Sequence, residues 1–376
     1  MGHKVLFTAS TYSHIRNFHL PYLKLFGDAG WRVRVACGGG EMDLPGADAV
    51  LHVPFRKTMT ALGNLRAAAR LRRDIRAEGY DLVITHTSLA AFFTRLALLG
   101  LKGRPTVINM VHGYLFDNRT GGLKRRILLT AERLTAPVTD LVLTMNREDY
   151  EIACKYKLGR RVENVPGVGV DFAKLDGDRR QAAAALRREL GIAPEAFVLF
   201  YAAELSGRKS QPVLIRAMER LPRRAVLVLA GAGAEERRCR RLARELGVED
   251  RVIFPGHVSD VPLWYAMADA VAPSSRSEGL PFNVMEAMYR GLPVVASAVK
   301  GHTDLIDHGE TGLLYPYGDH VACAEAVARL MEDPVLAHAL GENAREQVVR
   351  YDLGPVGELV FDRYLSCVEQ AEPVTR

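Results

Sequence analysis

Residues 269–287 read DAVAPSSRSEGLPFNVMEA, and this stretch changes character twice. Asp269 to Pro273 form a short apolar run of the kind found in buried strands, and Ser274 to Gly279 have the small, polar and glycine residues of a turn. Pro281 suits the first position of a helix. A backbone N–H group at that position has no hydrogen-bond partner within the helix, so the absence of this group in proline costs nothing there. The stretch therefore predicts a strand, a loop and a helix in succession, which is the repeating unit of an α/β fold.

The loop and the helix each contribute one carboxylate, Glu278 and Glu286, which stand eight positions apart. A helix that begins here directs backbone N–H groups near Leu280, Phe282 and Asn283 at a ligand above the strand ends, and these groups together with the helix dipole favour phosphate. Glu278 could then meet a sugar and Glu286 a ribose, with a diphosphate between them. The alternative is that both are ordinary solvated carboxylates, and the stretch alone leaves this open.

The segments that follow complete a recognisable pattern. Val-Val-Ala-Ser at 294–297 predicts the next strand, and Gly301 lies in the loop after it. EGLPFNVMEAMYRGLPVVAS at 278–297 and HGETGLL at 308–314 are similar to the donor-site signature of the retaining glycosyltransferases of family four, and the resemblance is closest over residues 197–316. It implies the GT-B fold, in which two Rossmann-like α/β domains have parallel sheets that face a central cleft.

The rest of the chain agrees with this fold class. At 376 residues it suits two α/β domains, each with its own core. Apolar runs alternate with helix-length segments, as in parallel sheets covered on both faces. The runs lie at 5–9, 33–36, 82–85, 106–109 and 141–144 in the first half, and at 197–201, 225–230, 252–254, 269–273 and 294–296 in the second.

Residues 164–171 are rich in turn formers and separate the two series of runs. They predict an N-terminal domain of residues 1–170, which would bind the acceptor, and a C-terminal domain of residues 171–351, which would bind the nucleotide-sugar donor. In GT-B enzymes the final helix crosses back onto the first domain. Residues 352–376 are expected to do so here.

Lys209 lies in YAAELSGRKS at 201–210, where the resemblance implies a lysine that meets the diphosphate. Such a lysine would neutralise charge that develops on the leaving group. Many relatives have an arginine five residues earlier, and this chain has Glu204 there. Arg208 could supply the missing charge, or Glu204 could mark a subgroup with another phosphate geometry. The alternative for Arg208 and Lys209 is a pair of solvated loop cations.

Further donor contacts are carried over from the resemblance. Gly231 lies in AGAGA at 230–234, which resembles the G-x-G turn of the family, and FPGHV at 254–258 makes His257 and Val258 candidate contacts of the nucleobase. For His257 a surface loop histidine is an equal alternative. The loop before the predicted helix and its first residues complete the expected donor site: Gly279, Leu280, Pro281, Phe282 and Asn283.

Histidines in the first half follow predicted strands. MVHGY at 110–114 ends a predicted strand, and the resemblance makes His112 the residue that hydrogen-bonds the donor sugar near the reaction centre. His86 follows another strand and could line the acceptor side. The loop at 11–17 lacks the glycine-rich turn of many relatives, so that His14 and Arg16 could instead meet an acceptor phosphate.

No metal requirement and no cofactor are expected, since the nucleotide sugar is a substrate. Asp176-Gly177-Asp178 is the D-x-D motif by which another glycosyltransferase fold binds a metal, but it precedes a predicted helix over 179–190 and is interpreted as a loop and a helix N-cap. The cysteines are odd in number and lack C-x-x-C pairs, which predicts a reducing compartment and no zinc site. They are Cys37, Cys154, Cys239, Cys323 and Cys367.

The charge is uneven. The chain carries +6, but residues 1–170 hold 25 Lys and Arg against 14 Asp and Glu, a net +11, so that the remainder carries −5. One basic cluster, Arg119 with Lys124 to Arg126 and Arg133, adjoins Ile127, Leu128, Leu129 and Leu134, and predicts a basic amphipathic helix. Such a helix can lie at an anionic membrane, or its leucines can pack on the domain. No nucleic-acid-binding motif accompanies these charges.

The resemblance implies a retaining transferase that moves a hexose or N-acetylhexosamine, most simply from a UDP-sugar, to a hydroxyl group. The opening residues 7–22 and Asn146 to Tyr150 resemble the subgroup that builds capsular and exopolysaccharide repeat units on a lipid diphosphate carrier. The acceptor is then a lipid-linked saccharide. Because the N-terminus lacks a signal peptide and the most apolar stretch, 82–101, contains His86 and Arg95, a cytoplasmic protein at the inner face of the plasma membrane is expected.

Two other functions fit the same motifs. A nucleotide-sugar epimerase of GT-B fold would convert the donor without an acceptor. A non-catalytic nucleotide-sugar-binding protein would bind the donor and release no nucleotide. A glycosidase is disfavoured, because its two carboxylates must face one bond, whereas a helix start separates Glu278 from Glu286.

Overall fold

The computed structural model of the chain describes residues 2–39, 43–56 and 62–370. These residues divide into two compact units, the first made of the residues up to 169 together with 354–370, and the second of 170–353. Each unit contains a parallel sheet with helices, so the predicted α/β class with two Rossmann-like domains is confirmed. The end of the predicted C-terminal helix, residues 371–376, lies outside the described residues.

Seven strands form one sheet in the described part of the first unit. They are β1 (Lys4–Ala9), β2 (Arg32–Cys37), β3 (Ala49–His52), β4 (Leu82–Thr85), β5 (Thr106–Val111), β6 (Leu141–Thr144) and β7 (Arg161–Asn164). Their order is β3-β2-β1-β4-β5-β6-β7, and all neighbours are parallel. The order reverses between β1 and β4, and ligands bind beyond the carboxyl ends of such a pair in open α/β sheets.

The central strands of this sheet are buried at every residue, which is the case for β4, β5 and β6. Continuous apolar runs are typical of parallel strands with helices on both faces. The predicted runs at 82–85 and 141–144 coincide with β4 and β6. The edge strands β3 and β7 are only partly buried.

Six helices precede the second unit among the described residues: α1 (Tyr12–Phe18), α2 (Leu20–Asp28), α3 (Gly63–Glu78), α4 (Ser88–Leu98), α5 (Gly122–Thr135) and α6 (Arg147–Tyr156). Local signals define several helix ends. The Asn146 side chain accepts a hydrogen bond from the Asp149 N–H group and caps α6. Gly79 follows α3 with φ of 63°, a left-handed conformation that ends helices. Leu71 of α3 and Phe93 of α4 belong to one core cluster with the sheet.

The strands of the second unit are β8 (Phe197–Ala202), β9 (Ala225–Ala230), β10 (Val252–Gly256), β11 (Ala270–Val271), β12 (Val295–Ser297) and β13 (Leu313–Tyr315). Four of them are paired in the order β10-β9-β8-β11, and β12 pairs with β13. A parallel bridge from Val271 to Val294 connects the two groups. The strand order therefore reverses between β8 and β11, as it does between β1 and β4 in the first unit.

Seven helices lie within the described second unit: α7 (Arg180–Glu189), α8 (Pro212–Met218), α9 (Glu236–Glu245), α10 (Val261–Met267), α11 (Phe282–Tyr289), α12 (His320–Glu332) and α13 (Pro334–Val348). The last helix, α14 (Leu353–Glu369), begins at the boundary and continues in the first unit. Short 3-10 turns occupy Ala136–Val138, Phe172–Leu175, Glu249–Arg251 and Val349–Tyr351. Residues of α8, α12, β8 and β9 share one buried core.

The second unit begins and ends at neighbouring positions. Val170 and Asp352 form an isolated parallel bridge. The Val170 N–H group donates to the Tyr351 carbonyl oxygen, and the Leu353 N–H group donates to the Val170 carbonyl oxygen, both at 2.9 Å. The segment that enters the second unit is therefore hydrogen-bonded to the segment that leaves it.

Three local predictions need correction. The predicted strand at 269–273 is shorter, because β11 covers two residues and Pro273 has no N–H group for a ladder. α11 begins at Phe282, and Pro281 is its N-cap residue with an extended ψ of 119°. α7 begins at Arg180 after the cap residue Arg179, although the Asp178 carboxylate accepts a hydrogen bond from the Arg180 N–H group at 3.0 Å.

Candidate functional site

Two loops of the second unit meet at the carboxyl ends of the adjacent strands β8 and β11. The chain leaves β8 into the loop that carries Arg208 and Lys209, and it leaves β11 into the loop that carries Glu278. These strands are neighbours despite their long sequence separation, because the strand order reverses between them. The two loops therefore occupy the position at which α/β sheets bind ligands.

Glu278 forms ion pairs with both cations of the loop after β8. Lys209 Nζ donates to Glu278 Oε1 at 2.6 Å, and Arg208 Nη1 donates to Oε2 at 2.8 Å. The side chains of Glu278 and Lys209 are 7% and 13% exposed, whereas 52% of the Arg208 side chain is exposed. The structure thus brings together three of the predicted site residues.

The pKa of the Glu278 carboxyl results from opposed effects. Burial favours the neutral form, but the charges of Lys209 and Arg208 outweigh it, with a further contribution from His302, and lower the pKa to about 2. Glu278 is therefore ionised at neutral pH. Its negative charge is held between two cations in a largely buried position.

His302 is a site residue that the sequence analysis missed. It is fully buried, and its Nδ1 lies 2.8 Å from the carbonyl oxygen of Ser297, the last residue of β12. The signal was weaker than for His112, because His302 lies five residues after the end of β12, whereas His112 follows β5 directly. The sequence could not show that its ring would lie near Glu278.

Two glycines allow the loops around this site to approach each other. Gly301 has φ of 82°, and a Cβ atom there would lie 2.8 Å from the Gly279 carbonyl oxygen and 2.9 Å from Glu278 Cβ. A Cβ atom on Gly231 would lie 2.1 Å from the Ala203 carbonyl oxygen. Gly231 is thus required for contact between the loops that follow β9 and β8.

Glu286 is held by a buried tyrosine. The Tyr265 hydroxyl oxygen lies 2.9 Å from Glu286 Oε2. Burial raises the pKa of Glu286 to about 7, and the hydrogen bond from Tyr265 opposes this shift. Tyr265 was missed by the sequence analysis, because nothing near it in the sequence indicates that its hydroxyl group would reach α11.

The remaining predicted donor contacts lie around the start of α11. Leu280 and Pro281 are buried, and Phe282 and Asn283 are half-buried. Asn283 donates a hydrogen bond from Nδ2 to the Ala202 carbonyl oxygen at 3.1 Å. This bond fastens the start of α11 to the end of β8.

His257 and Val258 follow β10, which lies two strands from β8. His257 is exposed and Val258 is half-buried. In the described part of the chain, neither residue forms a hydrogen bond or ion pair with Lys209 or Glu278. The structure therefore does not bring these two candidates into contact with the ion pairs.

The first unit contains a histidine cluster, made of His14, His19, His86 and His112, at the carboxyl ends of β1, β4 and β5. His14 Nε2 lies 3.3 Å from His19 Nε2, and His86 Nδ1 lies 3.1 Å from His112 Nε2. The ring centroids of His19 and His86 are 3.8 Å apart. The predicted donor-side His112 and the predicted acceptor-side His14 and His86 thus lie in one group.

The rings of this cluster are uncharged at neutral pH. Burial lowers the pKa of His14 to about 4. Burial and repulsion from neighbouring rings lower the pKa values of His19, His86 and His112 well below the usual value. Each ring therefore presents one nitrogen with a lone pair and one with a proton.

The sequence analysis missed His19. It predicted Arg16 together with His14 for the acceptor side, but Arg16 does not belong to the histidine cluster. His19 is fully buried and lies between α1 and α2, where the helical path breaks. The only signal was its position five residues after His14. Arg16, in contrast, is exposed on α1.

Thr87 holds an unusual backbone conformation directly after His86. Its φ is 60° and its ψ is 131°, which is costly for a β-branched residue. Thr87 Oγ1 accepts a hydrogen bond from the Ser10 N–H group at 2.9 Å and lies 2.7 Å from Ser10 Oγ. Such outliers cluster at functional sites. Ser210, directly after Lys209, also has a positive φ, of 54°.

The α5 surface, defined by the exposed residues Leu123, Lys124, Arg126, Ile127 and Leu134, combines apolar and basic side chains. Leu123 and Ile127 are 76% and 61% exposed. Leu128 and Leu129 pack against the core instead. The alternative in which leucines of this helix pack on the domain thus holds for Leu128 and Leu129, and contact with a membrane stays a prediction. None of the helices among residues 2–39, 43–56 and 62–370 has the length and apolar character to cross a membrane.

Two family models match the chain. The model described as Glycosyl transferase 4-like domain matches residues 22–165, and the model described as Glycosyl transferases group 1 matches residues 183–347. The first match lies in the first unit and the second match in the second unit.

Two curated proteins illustrate the similarity. The putative glycosyltransferase EpsD of Bacillus subtilis (strain 168) is 33% identical over 371 residues, which cover 97% of this chain and 97% of the relative. An Escherichia coli protein named UDP-Gal:alpha-D-GlcNAc-diphosphoundecaprenol alpha-1,3-galactosyltransferase is 24% identical over 326 residues, which cover 83% of this chain and 82% of that protein.

Solved structures show the same fold. HepE of Anabaena in complex with UDP has a TM-score of 0.79 and 21% identity, and the match covers 97% of this chain and 100% of that chain. The predicted GT-B fold, with two Rossmann-like domains, is thereby confirmed.

Proposed function

The chain belongs to the glycosyltransferases that have a 4-like domain followed by a group 1 domain, and on that premise we propose that it transfers a hexose or N-acetylhexosamine from a UDP-sugar to a lipid-linked saccharide. The proposal includes retention of configuration at the anomeric carbon and a role in cell-surface polysaccharide biosynthesis. The observation that carries it is the pairing of Lys209 and Arg208 with Glu278 where the strand order reverses.

Lys209 and Arg208 are proposed to bind the donor diphosphate. Both cations are already gathered around one anionic group, and a diphosphate offers them further anionic oxygens. Glu278 is then available to accept hydrogen bonds from hydroxyl groups of the donor sugar. The positive end of α11 adds to the same electrostatic effect. No metal is proposed at the diphosphate, because these cations supply the charge.

Glu286 is proposed to bind the ribose. Its carboxyl group is removed enough from water for burial to raise the pKa, and the hydroxyl group of Tyr265 orients it. Paired ribose hydroxyls suit a fixed carboxylate acceptor. Further donor contacts are proposed for Gly231, His257, Val258 and residues 279–283, and His112 is proposed to hydrogen-bond the donor sugar.

The proposed reaction breaks the bond between the anomeric carbon and the β-phosphate oxygen and forms a bond from the same carbon to the acceptor oxygen on the same face. The departing phosphate oxygen takes the proton of the acceptor hydroxyl group. Lys209 stabilises the negative charge that develops on this phosphate. No enzyme carboxylate acts as a nucleophile.

A lipid-linked acceptor is supported by the α5 surface. Exposed Leu123, Ile127 and Leu134 can enter the boundary of a bilayer while Lys124 and Arg126 contact anionic headgroups. The name of the Escherichia coli relative includes a diphosphoundecaprenol-linked sugar. His14, Arg16 and His86 are proposed for the acceptor side, with peripheral membrane contact.

The proposal is tested by nucleotide release from UDP-, GDP- and TDP-sugars, with and without membrane extract, in the presence of a metal chelator. We expect UDP release that requires the extract, survives chelation and is lost in Glu278→Gln. Glu332→Gln, at an exposed position on α12, is the matched control and should retain release. The anomeric configuration of the product is read from its proton NMR coupling.

Other outcomes favour other functions. Conversion of the donor without nucleotide release would indicate an epimerase. Tight donor binding with neither nucleotide release nor donor conversion would indicate a binding protein, provided that a related glycosyltransferase is active with the same extracts. Product with inverted configuration would overturn the retaining mechanism.

A further inference from the structure

Four histidine rings from three separate segments converge in the first unit. His14 lies on α1, His19 between α1 and α2, His86 after β4 and His112 after β5. On a continuous helix, residues five apart point about 140° away from each other. The break between α1 and α2 is what brings His19 beside His14. The convergence therefore depends on the fold and not on local sequence.

Two nitrogen separations in the cluster match the size of a metal coordination shell. Zinc binds imidazole nitrogen at about 2.0–2.1 Å, so neighbouring nitrogens of a tetrahedral site lie about 3.3–3.4 Å apart. The separations of 3.3 Å between His14 Nε2 and His19 Nε2, and 3.1 Å between His86 Nδ1 and His112 Nε2, are close to that value. One ligand atom from each of the four residues lies within 4.8 Å of the others.

Hydrogen bonding alone does not satisfy the histidine cluster. A neutral imidazole has one donor and one acceptor, so each short nitrogen contact can be one hydrogen bond. Among the described residues, however, His19 Nδ1 and His86 Nε2 are buried and have no partner. An unsatisfied buried polar atom costs about 1–3 kcal/mol. Both are the ring nitrogens opposite the short contacts, so in a metal site formed at those contacts they would carry the ring protons.

We propose that the histidine cluster binds one divalent transition-metal ion of the zinc class, with one ring nitrogen each from His14, His19, His86 and His112 as ligands. The ligand set selects this class, because imidazole suits zinc, copper, nickel and iron, whereas magnesium and calcium need oxygen ligands. The group that forms the site has no carboxylate. The site is distinct from the ion pairs of the second unit.

The backbone next to His86 is fixed by a strained residue. Thr87 keeps its unfavourable φ of 60° directly after His86, and its side chain is tied to Ser10, which follows β1. This arrangement fixes the start of α4 and the position of His86 relative to β1. Strain of this kind persists where a precise geometry is retained.

Sequence reasoning had no signal for this site. The expectation of no zinc rested on cysteine spacing and on the position of Asp176-Gly177-Asp178, whereas the four ligands are histidines without a short motif. His112 is also proposed to contact the donor sugar. The test therefore measures metal binding and not turnover.

Metal content provides the test. The full chain, purified without a polyhistidine tag, is stripped with a chelator, equilibrated with Zn²⁺ and analysed for zinc, and its affinity is measured against a chromophoric chelator. We expect about one zinc per chain. With Co²⁺ we expect the intense visible absorption of tetrahedral cobalt. Less than about a tenth of an equivalent, or a weak octahedral cobalt spectrum, would overturn the proposal.

Variants assign the ligands. His14→Ala removes a half-buried ligand at the edge of the cluster and is expected to weaken zinc binding at least a hundredfold, since even residues behind the ligands contribute ten- to a hundredfold. His338→Ala, exposed on α13, is the control and should bind zinc like the unaltered chain. Equal zinc affinity of His14→Ala and His338→Ala would place the metal elsewhere. If a variant does not fold, the Co²⁺ spectrum of the unaltered chain still tests the proposal.

Discussion

The Tyr265 hydroxyl oxygen lies 2.9 Å from Glu286 Oε2 and 3.0 Å from the Asn283 carbonyl oxygen, so that one phenol proton is shared between two acceptors. Tyr265 is 1% exposed and belongs to α10, whereas Glu286 and Asn283 belong to α11. The proposed ribose ligand is therefore oriented from a neighbouring helix. Its protonation depends on this contact.

Donor affinity is expected to depend on the ionisation of Glu286. Its pKa is about 7, so the carboxyl group is mostly protonated at pH 6 and mostly ionised at pH 8. Because the ionised form is the better hydrogen-bond acceptor, UDP-glucose should bind several-fold more tightly at pH 8 than at pH 6. Calorimetry measures the affinity at both pH values. UDP-glucose is the suitable ligand, because it has no terminal phosphate group that titrates in this range. Glu286→Gln should bind weakly at both pH values, and an unchanged pH dependence in that variant would contradict the assignment.

Tyr265→Phe should move the pH dependence of donor binding upwards. The lost hydrogen bond favours the ionised carboxylate, so its removal raises the pKa of Glu286 further. We expect the midpoint of UDP-glucose affinity to rise by about one pH unit at most. The same calorimetric titrations measure it. A midpoint that stays in place or falls would show that Tyr265 does not control this carboxyl group.

Lys209→Ala should lower turnover by on the order of a hundredfold or more, because the leaving phosphate loses its buried cation. Steady-state UDP release measures the change, and circular dichroism confirms that the variant folds. Lys174→Ala is a suitable control, since Lys174 belongs to the same unit, is exposed and pairs with Asp171. Full turnover in folded Lys209→Ala would remove this residue from the proposed mechanism.

Gly301→Ala and Gly309→Ala form a matched pair. Their φ angles are 82° and 84°, but a Cβ atom on Gly301 meets the loop of Glu278 and Gly279, whereas one on Gly309 meets nothing within 4 Å. Both should pay about 1–2 kcal/mol for the left-handed conformation. Only Gly301→Ala should also weaken donor binding, by about tenfold, since it displaces Glu278. Equal donor affinities of the two variants would show that this loop tolerates the displacement.

Ile127→Asp should reduce binding to anionic lipid vesicles by about fivefold or more, because it places a negative charge on the α5 surface. Val335→Asp is the control, since Val335 is 80% exposed on a different helix in the second unit. Co-sedimentation with phosphatidylserine-containing vesicles at low and physiological salt measures both. If the two variants sediment alike, the membrane contact lies outside the α5 surface.

The sequence predicted secondary-structure elements better than it predicted contacts between side chains. The apolar runs at 82–85 and 141–144 located β4 and β6, because a continuous buried strand leaves a local signature. Lys209 and Glu278 were found by motif, yet their ion pair was not, since it joins residues 69 positions apart. The pairing depends on which strands become neighbours. That is a property of topology, which the local pattern does not contain.

Buried polar partners were the main omission. Tyr265, His302 and His19 lie in stretches without a distinctive motif, and each acquires its importance from residues far away in the chain. Single residues of this kind resemble ordinary core residues in a sequence. A histidine directly after a strand was the one usable signal, and it applies to His86 and His112 but not to His302, which lies five residues beyond β12.

The bridge between Val170 and Asp352 has a consequence for how the chain is assembled. The entry and exit of residues 170–353 are hydrogen-bonded neighbours, so this segment is a closed insertion with adjacent ends. Domains whose ends lie close together suit insertion into another chain. Residues 170–353 are therefore a single insertion in the chain of the first unit, which the backbone enters and leaves at one point.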